Sequence, residues 1–487
     1  MSVNAPAKLT LKDYKSDLHN DWCPGCVRPD TLILTPTGTR AIREIRTGDQ
    51  VLGHDGGYHR VADVMSHWHP DTLQELTLDG LGTITITADH PVYLGGDDWR
   101  PAGELVPGDQ VFRTCLSGRP ELVGACAVGQ FRDSTAASAA HATGSRLIFA
   151  PGPAGIRSIH VVARVTSNKV IPYNGFVYNL EVEDVHSYVT DVATLHNCGD
   201  FGILTGIQMA LQQMQIDPDK LAVFSGIGCS GKTPHYINAY GFHTLHGRVL
   251  TVATGGRLAN TGLTVLALGG DGDGYGIGAG YFVNSGRRNL DFTYLVHNNN
   301  VYGLTKGQAS PTLSKGKKTK SMPEQAIQDD INPIAMAIAS GYTFIARAYA
   351  LEPKYLASII VKAVQHKGSA VVDVLQTCPT YNDLYTKEWY EGADLPEKRS
   401  RLYKLEEKGY DGKVQDPNDQ EEIIAKKAAA VARSYEKDPI PVGIYYEVDL
   451  PTYEEAVIGR IPALAEKPLV EVDVFHRDVT PLLEAMR

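Results

Sequence analysis

One short motif in this chain is split in two. Cys23-Pro24-Gly25 runs into Cys26, and 172 residues later Cys198 opens Cys198-Gly199-Asp200-Phe201-Gly202, directly after His196-Asn197. Lifting out residues 26–197 closes the flanks into Asp21-Trp22-Cys23-Pro24-Gly25-Cys198-Gly199-Asp200, a single CxxC turn. A fold that uses this turn must be assembled around an insert large enough to be a domain of its own. With 487 residues, 43% hydrophobic and 21% charged, the chain has material for more than one domain.

The insert begins with a nucleophilic Cys, ends in His-Asn and is followed by another Cys, and two thiols with a cyclising amide can exchange one peptide bond for another. Inside it, Glu44-Ile45-Arg46-Thr47-Gly48-Asp49-Gln50-Val51-Leu52 recurs 60 residues later as Glu104-Leu105-Val106-Pro107-Gly108-Asp109-Gln110-Val111-Phe112. Thr87-Ala88-Asp89-His90 follows the alternating, strand-like Thr83-Ile84-Thr85-Ile86, and Val177-Tyr178-Asn179-Leu180-Glu181-Val182 leads to His186-Ser187-Tyr188. Together these elements resemble a self-splicing intein: the two halves of the all-β Hint fold, the TxxH element and the C-terminal block.

The resemblance implies a role for each residue. Cys26 attacks the carbonyl of Gly25 to give a thioester, with Thr87 and His90 assisting the leaving nitrogen and the oxyanion. Cys198 takes over the acyl group as a thiolate. Asn197 closes on its own carbonyl and cuts the bond to Cys198, with His196 and His186 as acid and base, and an S-to-N shift joins Gly25 to Cys198. One position departs from the pattern. Asn179 stands where many inteins carry Asp, and an amide cannot shuttle protons as a carboxylate does, which implies slower splicing or a substitute group. The insert lacks a dodecapeptide homing-endonuclease motif, so it reads as a mini-intein whose low-complexity stretch, Ser134 to Gly155, is a loop scar. Cys115 and Cys126 read as ordinary thiols.

Composition limits the remainder. A net charge of −10 argues against a nucleic-acid surface. No apolar run reaches membrane-spanning length and the N-terminus lacks an apolar signal core, so the expected location is cytoplasmic. Seven Cys in a chain without an export signal point to metal or catalytic thiols. The flanks together hold 315 residues and four of those Cys, at positions 23, 198, 229 and 378. Four thiolates suit a 4Fe-4S cluster. They also suit structural zinc, although zinc ribbons usually show two close CxxC pairs and here only one pair is close. Plain buried thiols at Cys229 and Cys378 are the third reading.

Two buried-strand patterns carry the next motif. Leu263-Thr264-Val265-Leu266-Ala267-Leu268 ends in Gly269-Gly270-Asp271-Gly272-Asp273-Gly274, and Phe292-Thr293-Tyr294-Leu295-Val296 leads to Asn298-Asn299-Asn300-Val301-Tyr302-Gly303. This pairing resembles the thiamine-diphosphate fingerprint. Its glycines admit the diphosphate, and Asp271, Asn299 and the Val301 carbonyl supply hard oxygens for an octahedral Mg²⁺. Asp271 and Asn299 lie 28 positions apart, room for the helix between two parallel strands.

In order, Trp22-Cys23-Pro24-Gly25-Cys198-Gly199-Asp200, Gly226-Ile227-Gly228-Cys229-Ser230-Gly231-Lys232, His243-Thr244-Leu245-His246-Gly247-Arg248, the two motifs above, Gly303-Leu304-Thr305-Lys306-Gly307-Gln308 and Cys378-Pro379-Thr380-Tyr381-Asn382 resemble the β subunit of 2-oxoacid:ferredoxin oxidoreductases. The match covers nearly all of the host. It implies oxidative decarboxylation of a 2-oxoacid to the acyl-CoA, with electrons passing through a 4Fe-4S cluster held by Cys23, Cys198, Cys229 and Cys378 to ferredoxin. Thiamine diphosphate would contact Gly228, Cys229, Ser230, His246, Gly247, Gly270, Asp271, Gly272, Asp273, Asn299, Val301, Gly303 and Leu304. Lys306 would meet the substrate carboxylate, and Lys232 is a secondary candidate for substrate or coenzyme A. His243, spaced i,i+3 from His246, reads as packing or a cofactor contact. Thr305-Lys306-Gly307-Gln308 leans toward the 2-oxoglutarate or broad-specificity branch. A pyruvate-type enzyme is the alternative, and a non-redox thiamine decarboxylase would have no use for four Cys. The Glu that activates thiamine normally comes from the other domain of the paired architecture, so an α subunit is the expected partner, in a heterodimer, with no nucleic acid and no membrane involved.

The expected architecture is an α/β host, a doubly wound parallel sheet with the cofactor at the strands' carboxyl ends, interrupted by an all-β Hint domain. Its segments are 1–25 host, 26–197 intein, 198–385 thiamine-diphosphate domain and 386–487 C-terminal extension. Lys387 to Lys437 reads as amphipathic surface helix. That stretch and the strand-like Val442-Gly443-Ile444-Tyr445-Tyr446 are expected either to touch the partner subunit or to form a plain extension.

Overall fold

The computed structural model describes residues 8–16, 26–53, 55–69, 71–88, 90–95, 98–116, 146–151, 157–182, 187–191, 193–196, 198–319, 321–473, 476 and 478–486. Cys23, Cys126, His186, Asn197 and most of the Ser134 to Gly155 stretch lie outside these residues, as do the side chains of Cys115 and His196.

The described residues of the insert are all β with short 3₁₀ turns. Two long strands, Tyr58–His69 and Arg157–Pro172, are each the spine of one half. The first pairs with Gly175–Val182 and Gln50–Leu52, the second with Thr72–Leu78 and Gln110–Leu116. In Thr72–Leu78 the residues Leu76 and Leu78 are buried and Glu75 and Thr77 half-buried, as the period-2 pattern requires. Val27, Ile33, Ile42, Val51, Leu76, Ile86 and Val111 meet in one core. Fully burying such a side chain contributes about 1.5–3 kcal/mol.

The sequence repeat is a structural repeat. Each copy makes a 3₁₀ turn, Ile42–Glu44 or Ala102–Glu104, then a glycine at φ +96° (Gly48) or +105° (Gly108), a region that favours glycine. The Gly48 N–H donates to the Val61 carbonyl and the Gly108 N–H to the Val165 carbonyl, both at 2.8 Å. Each following Asp accepts from the backbone three residues earlier, at 2.9 Å in both copies, and pairs with an Arg, Arg40–Asp49 at 2.9 Å and Arg100–Asp109 at 3.1 Å. The two copies thus clamp the two long strands in the same way, a duplicated unit of the kind the Hint resemblance implies.

The host closes around the insert. Before it, Leu9 N–H donates to Gln215 Oε1 (2.8 Å), Tyr14 Oη donates to the Ile216 carbonyl (2.8 Å) and Lys15 bridges to Ile237. Residues 8–16 and the chain from 198 onward therefore form one body. Its sheet has eight strands: β1 (Leu221–Ser225), β2 (Tyr240–His243), β3 (Thr264–Gly270), β4 (Phe292–Asn298), β5 (Phe344–Tyr349), β6 (Ser369–Leu375), β7 (Leu402–Lys404) and β8 (Ile440–Glu447). The order is β2-β1-β3-β4-β6-β5-β8-β7, and the first six are parallel. Every residue of β4, β5 and β6 is buried, as expected of a parallel sheet covered on both faces. Among the covering helices are α1 (Gly199–Met214), α2 (Val249–Ala259) and α3 (Pro353–Gln365), with α1 against α3. No helix among the described residues is long and apolar enough to cross a membrane.

The C-terminal expectations need correction. β8 runs antiparallel to β5 in the body of the sheet, with Val442, Tyr445 and Tyr446 buried, so Val442–Tyr446 belongs to the core and is not a surface for a partner. The sheet passes through 385/386 without a boundary, because β7 and β8 both come from the supposed extension. Within Lys387 to Lys437 only Lys387–Glu391 and Gln420–Ser434 are α-helical. The charges there suggested solvent, yet Arg401 is buried, paired with Asp394 and stacked 4.7 Å over the Trp389 ring.

Candidate functional site

The parallel strands β1, β3, β4 and β6 end at one edge, where their carboxyl-terminal loops enclose a cavity of about 580 Å³, open to solvent. An apolar strand that stops at glycines brings the following backbone to the sheet edge, and β3 does this with Gly269-Gly270. Asp271 comes next, 1% exposed. Its Oδ2 accepts from Ser310 Oγ and Thr312 Oγ1, both at 2.5 Å, and from the Asn300 N–H at 3.1 Å. Burial outweighs these bonds and pushes the carboxyl up to about 6. A desolvated carboxylate facing a cavity gains most from a cation, and Asp271 fits the Mg²⁺ role on that chemistry.

The three asparagines after β4 are used differently. Asn298 donates to Asp373 Oδ1 (2.9 Å) and Asn300 to the Thr312 carbonyl (3.0 Å), both turned into the protein. Asn299 is in the cavity wall, with its Oδ1 accepting from the Val301 N–H at 3.1 Å. It is the one of the three left to face a ligand beside Asp271.

Asp273 ties loops together. Its Oδ1 accepts from Gly247 N–H (2.6 Å), Ile227 N–H (3.2 Å) and His246 Nδ1 (3.1 Å), while burial raises its carboxyl. A Cβ on Gly226 would stand 2.2 Å from Asp273 Oδ2, so only glycine lets these loops meet.

Of the residues expected at thiamine diphosphate, Gly228, Cys229, Ser230, His246, Gly270, Asp271, Gly272, Asp273, Asn299, Val301, Gly303 and Leu304 all border the cavity. Gly247 touches it only through Asp273. Lys306 is exposed, at φ +77° on the turn from Gly303 to Gly307, one residue beyond the cavity wall. His243 is spent on the fold: its Nδ1 is 2.9 Å from the Gly231 carbonyl and 3.0 Å from Ser225 Oγ. Lys232, half-buried, is outside the wall.

Sequence reading missed a buried dyad. His297, 2% exposed and in the cavity wall, donates from Nδ1 to Asp200 Oδ1 at 2.6 Å, and its Nε2 has no hydrogen-bond partner. Asp200 Oδ2 accepts from Cys198 Sγ at 3.3 Å, and Gln376, also in the wall, reaches Cys198 Sγ from Nε2 at 3.8 Å. The available signals were Asp200 two residues beyond Cys198 and His297 two before Asn299, but the positions are 97 apart in sequence. Of the thiols, Cys229 lines the cavity, and a Cβ on Gly303 would come within 3.3 Å of its Sγ; the Gly199 N–H donates to the Thr377 carbonyl at 3.3 Å, a backbone bond between the residue after Cys198 and the residue before Cys378.

In the insert, Cys26 is 5% exposed, at the start of a segment whose Val27 bridges both Ile86 and Tyr178. Its N–H donates to Thr87 Oγ1 at 3.0 Å, and the Thr87 N–H donates to the Cys26 carbonyl at 2.9 Å. His90 is fully buried, and neither ring nitrogen has a hydrogen-bond partner. Burial takes it down to about 3, opposed by the Cys26 backbone, so the imidazole is neutral. Tyr188 sits edge-on to that ring, centroids 6.2 Å apart, and donates to Asn179 Oδ1 at 2.8 Å. The strand Thr194–His196 pairs Leu195 with Val92, which brings the insert's end beside the segment that carries His90.

Residues 226–374 match the thiamine pyrophosphate enzyme C-terminal TPP-binding domain, and 378–460 the C-terminal family of the pyruvate ferredoxin oxidoreductase β subunit. The chain is 54% identical over 276 residues to the 2-oxoacid:ferredoxin oxidoreductase subunit β of Saccharolobus solfataricus, covering 56% of this chain and 87% of that protein. It is similar in structure to the 2-oxoglutarate:ferredoxin oxidoreductase of Magnetococcus marinus, with 32% identity, 60% and 90% coverage and a TM-score of 0.51. A bacterial intein-like domain from Clostridium thermocellum aligns with 35% of this chain and 98% of its own length, at 24% identity and a TM-score of 0.24. With the motif-bearing loops gathered at one sheet edge and more than half of the residues shared with such a relative over most of its length, the chain belongs to the β-subunit family of the 2-oxoacid:ferredoxin oxidoreductases.

Proposed function

We propose that this chain is a precursor. Residues 26–197 excise themselves, and the joined flanks form a β subunit that oxidises a 2-oxoacid, 2-oxoglutarate by the Thr305–Gln308 element, to its acyl-CoA with ferredoxin as acceptor. The splicing half rests on the contact between the Cys26 N–H and Thr87 Oγ1. Cys26 Sγ adds to the Gly25 carbonyl, the bond to Cys26 N breaks, and that nitrogen takes the thiol proton. Thr87 holds the nitrogen, and the neutral His90 ring can pass the proton without first having to lose one. Transfer to Cys198, cyclisation of Asn197 and the S-to-N shift follow.

The enzymatic half rests on Asp271, desolvated and aimed at the cavity. Asp271 and Asn299 would hold Mg²⁺, which binds the diphosphate, and the bound thiamine supplies the carbanion chemistry for decarboxylation. Asp273 and Gly226 keep the loop after β1 against that after β3. Cys198, Cys229 and Cys378, with Cys23 joined to Cys198 in one CxxC turn by splicing, would hold a 4Fe-4S cluster, which would supply the electron transfer to ferredoxin. Lys306, on the exposed turn, would meet a substrate carboxylate arriving from solvent. The decisive experiment is expression of the chain with its α subunit. Mass spectrometry should find a 315-residue product, consistent with the flanks counted from the sequence. A panel of 2-oxoacids should then reduce ferredoxin, fastest with 2-oxoglutarate. The spliced β chain alone should be inactive, and turnover by it alone would refute the dependence on the α subunit.

A further inference from the structure

The opposite edge of the sheet holds a second polar cluster, unrelated to the cavity. His366 caps the carboxyl end of α3, Glu447 ends β8 and Asp449 follows it. A nitrogen of His366 and one oxygen from each carboxylate lie within 4.8 Å of one another. The His366 side chain is 1% exposed, yet its Nδ1 has no hydrogen-bond partner, and the nearest Asp449 oxygen is 3.8 Å away, beyond hydrogen-bonding reach.

The surrounding bonds fix which ring nitrogen carries the proton. Thr343 Oγ1 donates to Asn289 Oδ1 at 2.7 Å, and Asn289 is oriented by its Nδ2, which donates to the Leu450 and Pro451 carbonyls at 3.3 and 3.0 Å. Having committed its only proton, Thr343 must accept from His366 Nε2, 2.8 Å away. Nδ1 therefore presents a bare lone pair to two carboxylates. Three electron-rich groups converge, and only a cation between them makes the arrangement favourable. Lys413 supplies part of that charge, with its Nζ 2.6 Å from Glu447 Oε1 and 3.6 Å from Asp449 Oδ2. Its side chain is 44% exposed and free to swing into water, and Asp449 is 66% exposed and can move inward.

We propose that His366, Glu447 and Asp449 bind one divalent transition-metal ion, with Lys413 as the counter-charge it displaces. One imidazole and two carboxylates suit Zn²⁺ or Mn²⁺ better than Ca²⁺, which prefers oxygen throughout. The thiol sites lie at the other edge of the sheet, so the ion would act as a clip between α3 and the end of β8.

The test is equilibrium dialysis of the full chain against Zn²⁺, read as a difference between variants so that binding at thiols cancels. The parent should hold one more Zn²⁺ per chain than Asp449→Asn or His366→Gln. Lys413→Met, which removes the competing ammonium, should tighten that one site about tenfold. Zn²⁺ should raise the melting temperature of the parent and of Lys413→Met by more than that of Asp449→Asn, an exposed change that leaves the core intact. Equal stoichiometry in parent and Asp449→Asn, or unchanged affinity in Lys413→Met, would overturn the proposal.

Discussion

The insert and the host solve opposite electrostatic problems. Around Cys26 the buried groups are neutral: a hydroxyl, an uncharged imidazole driven down to about 3, a phenol and an amide. Around the host cavity they are ionisable: Asp271, Asp273 and the Asp200–His297 pair, all nearly inaccessible to water. In the proposed splicing the reacting bond is part of the chain itself, so that site would need no charge to capture anything. The host site carries a desolvation cost that only an incoming cation relieves.

The sharpest way to break this comparison is to remove the insert's nucleophiles. Cys26→Ala should abolish cleavage on the amino side, Asn197→Ala should block release on the carboxyl side, and the double variant should stay intact; gel and mass analysis reads all three. Spliced product from Asn197→Ala would end the assignment. The same double variant tests whether the host depends on the insert's departure. In the precursor sequence Cys26, not Cys198, stands at the second Cys position of the CxxC motif begun by Cys23, so anaerobic reconstitution with iron and sulfide should load a 4Fe-4S cluster in the spliced protein and none in the variant. An equal iron content in both would separate the two functions.

A smaller effect concerns pH. The Asp271 carboxyl lies above its ordinary value, at about 6. Between pH 4 and 6 the folded protein then holds a proton that the unfolded chain has lost, so without cofactor its stability should fall as pH rises, by about 3 kcal/mol in all. Cation binding runs the other way, because Mg²⁺ must displace that proton. Mg²⁺-dependent thiamine diphosphate binding, followed by circular dichroism, should weaken about tenfold from pH 7 to pH 5, and Asp271→Asn should lose both the binding and its pH dependence. The smallest effect belongs to Asn179. Asp there would still accept from Tyr188 and would add a proton acceptor, so Asn179→Asp should speed splicing several-fold; a slower reaction would mean that the pocket is built for the amide.

What was legible in the sequence was whatever has a period or a fixed spacing. The doubled glycine-aspartate turn, the apolar runs of β3 and β4 and the loops after them all declare themselves within a few residues. Asp200 and His297 did not, since each looks ordinary alone and their meaning lies in a 2.6 Å contact between distant segments. β8 was misjudged because charged neighbours such as Lys437 and Asp438 mask a strand buried in the sheet, and Arg401 because burial of a guanidinium depends on an acceptor and a ring contributed elsewhere. The coordinating potential of His366 depends on the hydrogen-bond direction of Thr343, which no pattern of letters encodes.

The anchoring of residues 8–16 on the far side of the insert would give the proposed splicing a safeguard. Once the bond before Cys26 is cut, nothing covalent but a thioester keeps the amino-terminal fragment attached, and hydrolysis of that ester would ordinarily set it adrift. Here Leu9 and Tyr14 are already docked on Gln215 and Ile216, so the fragment remains a non-covalent part of the host at high local concentration. A failed splice would leave a nicked protein that still holds together.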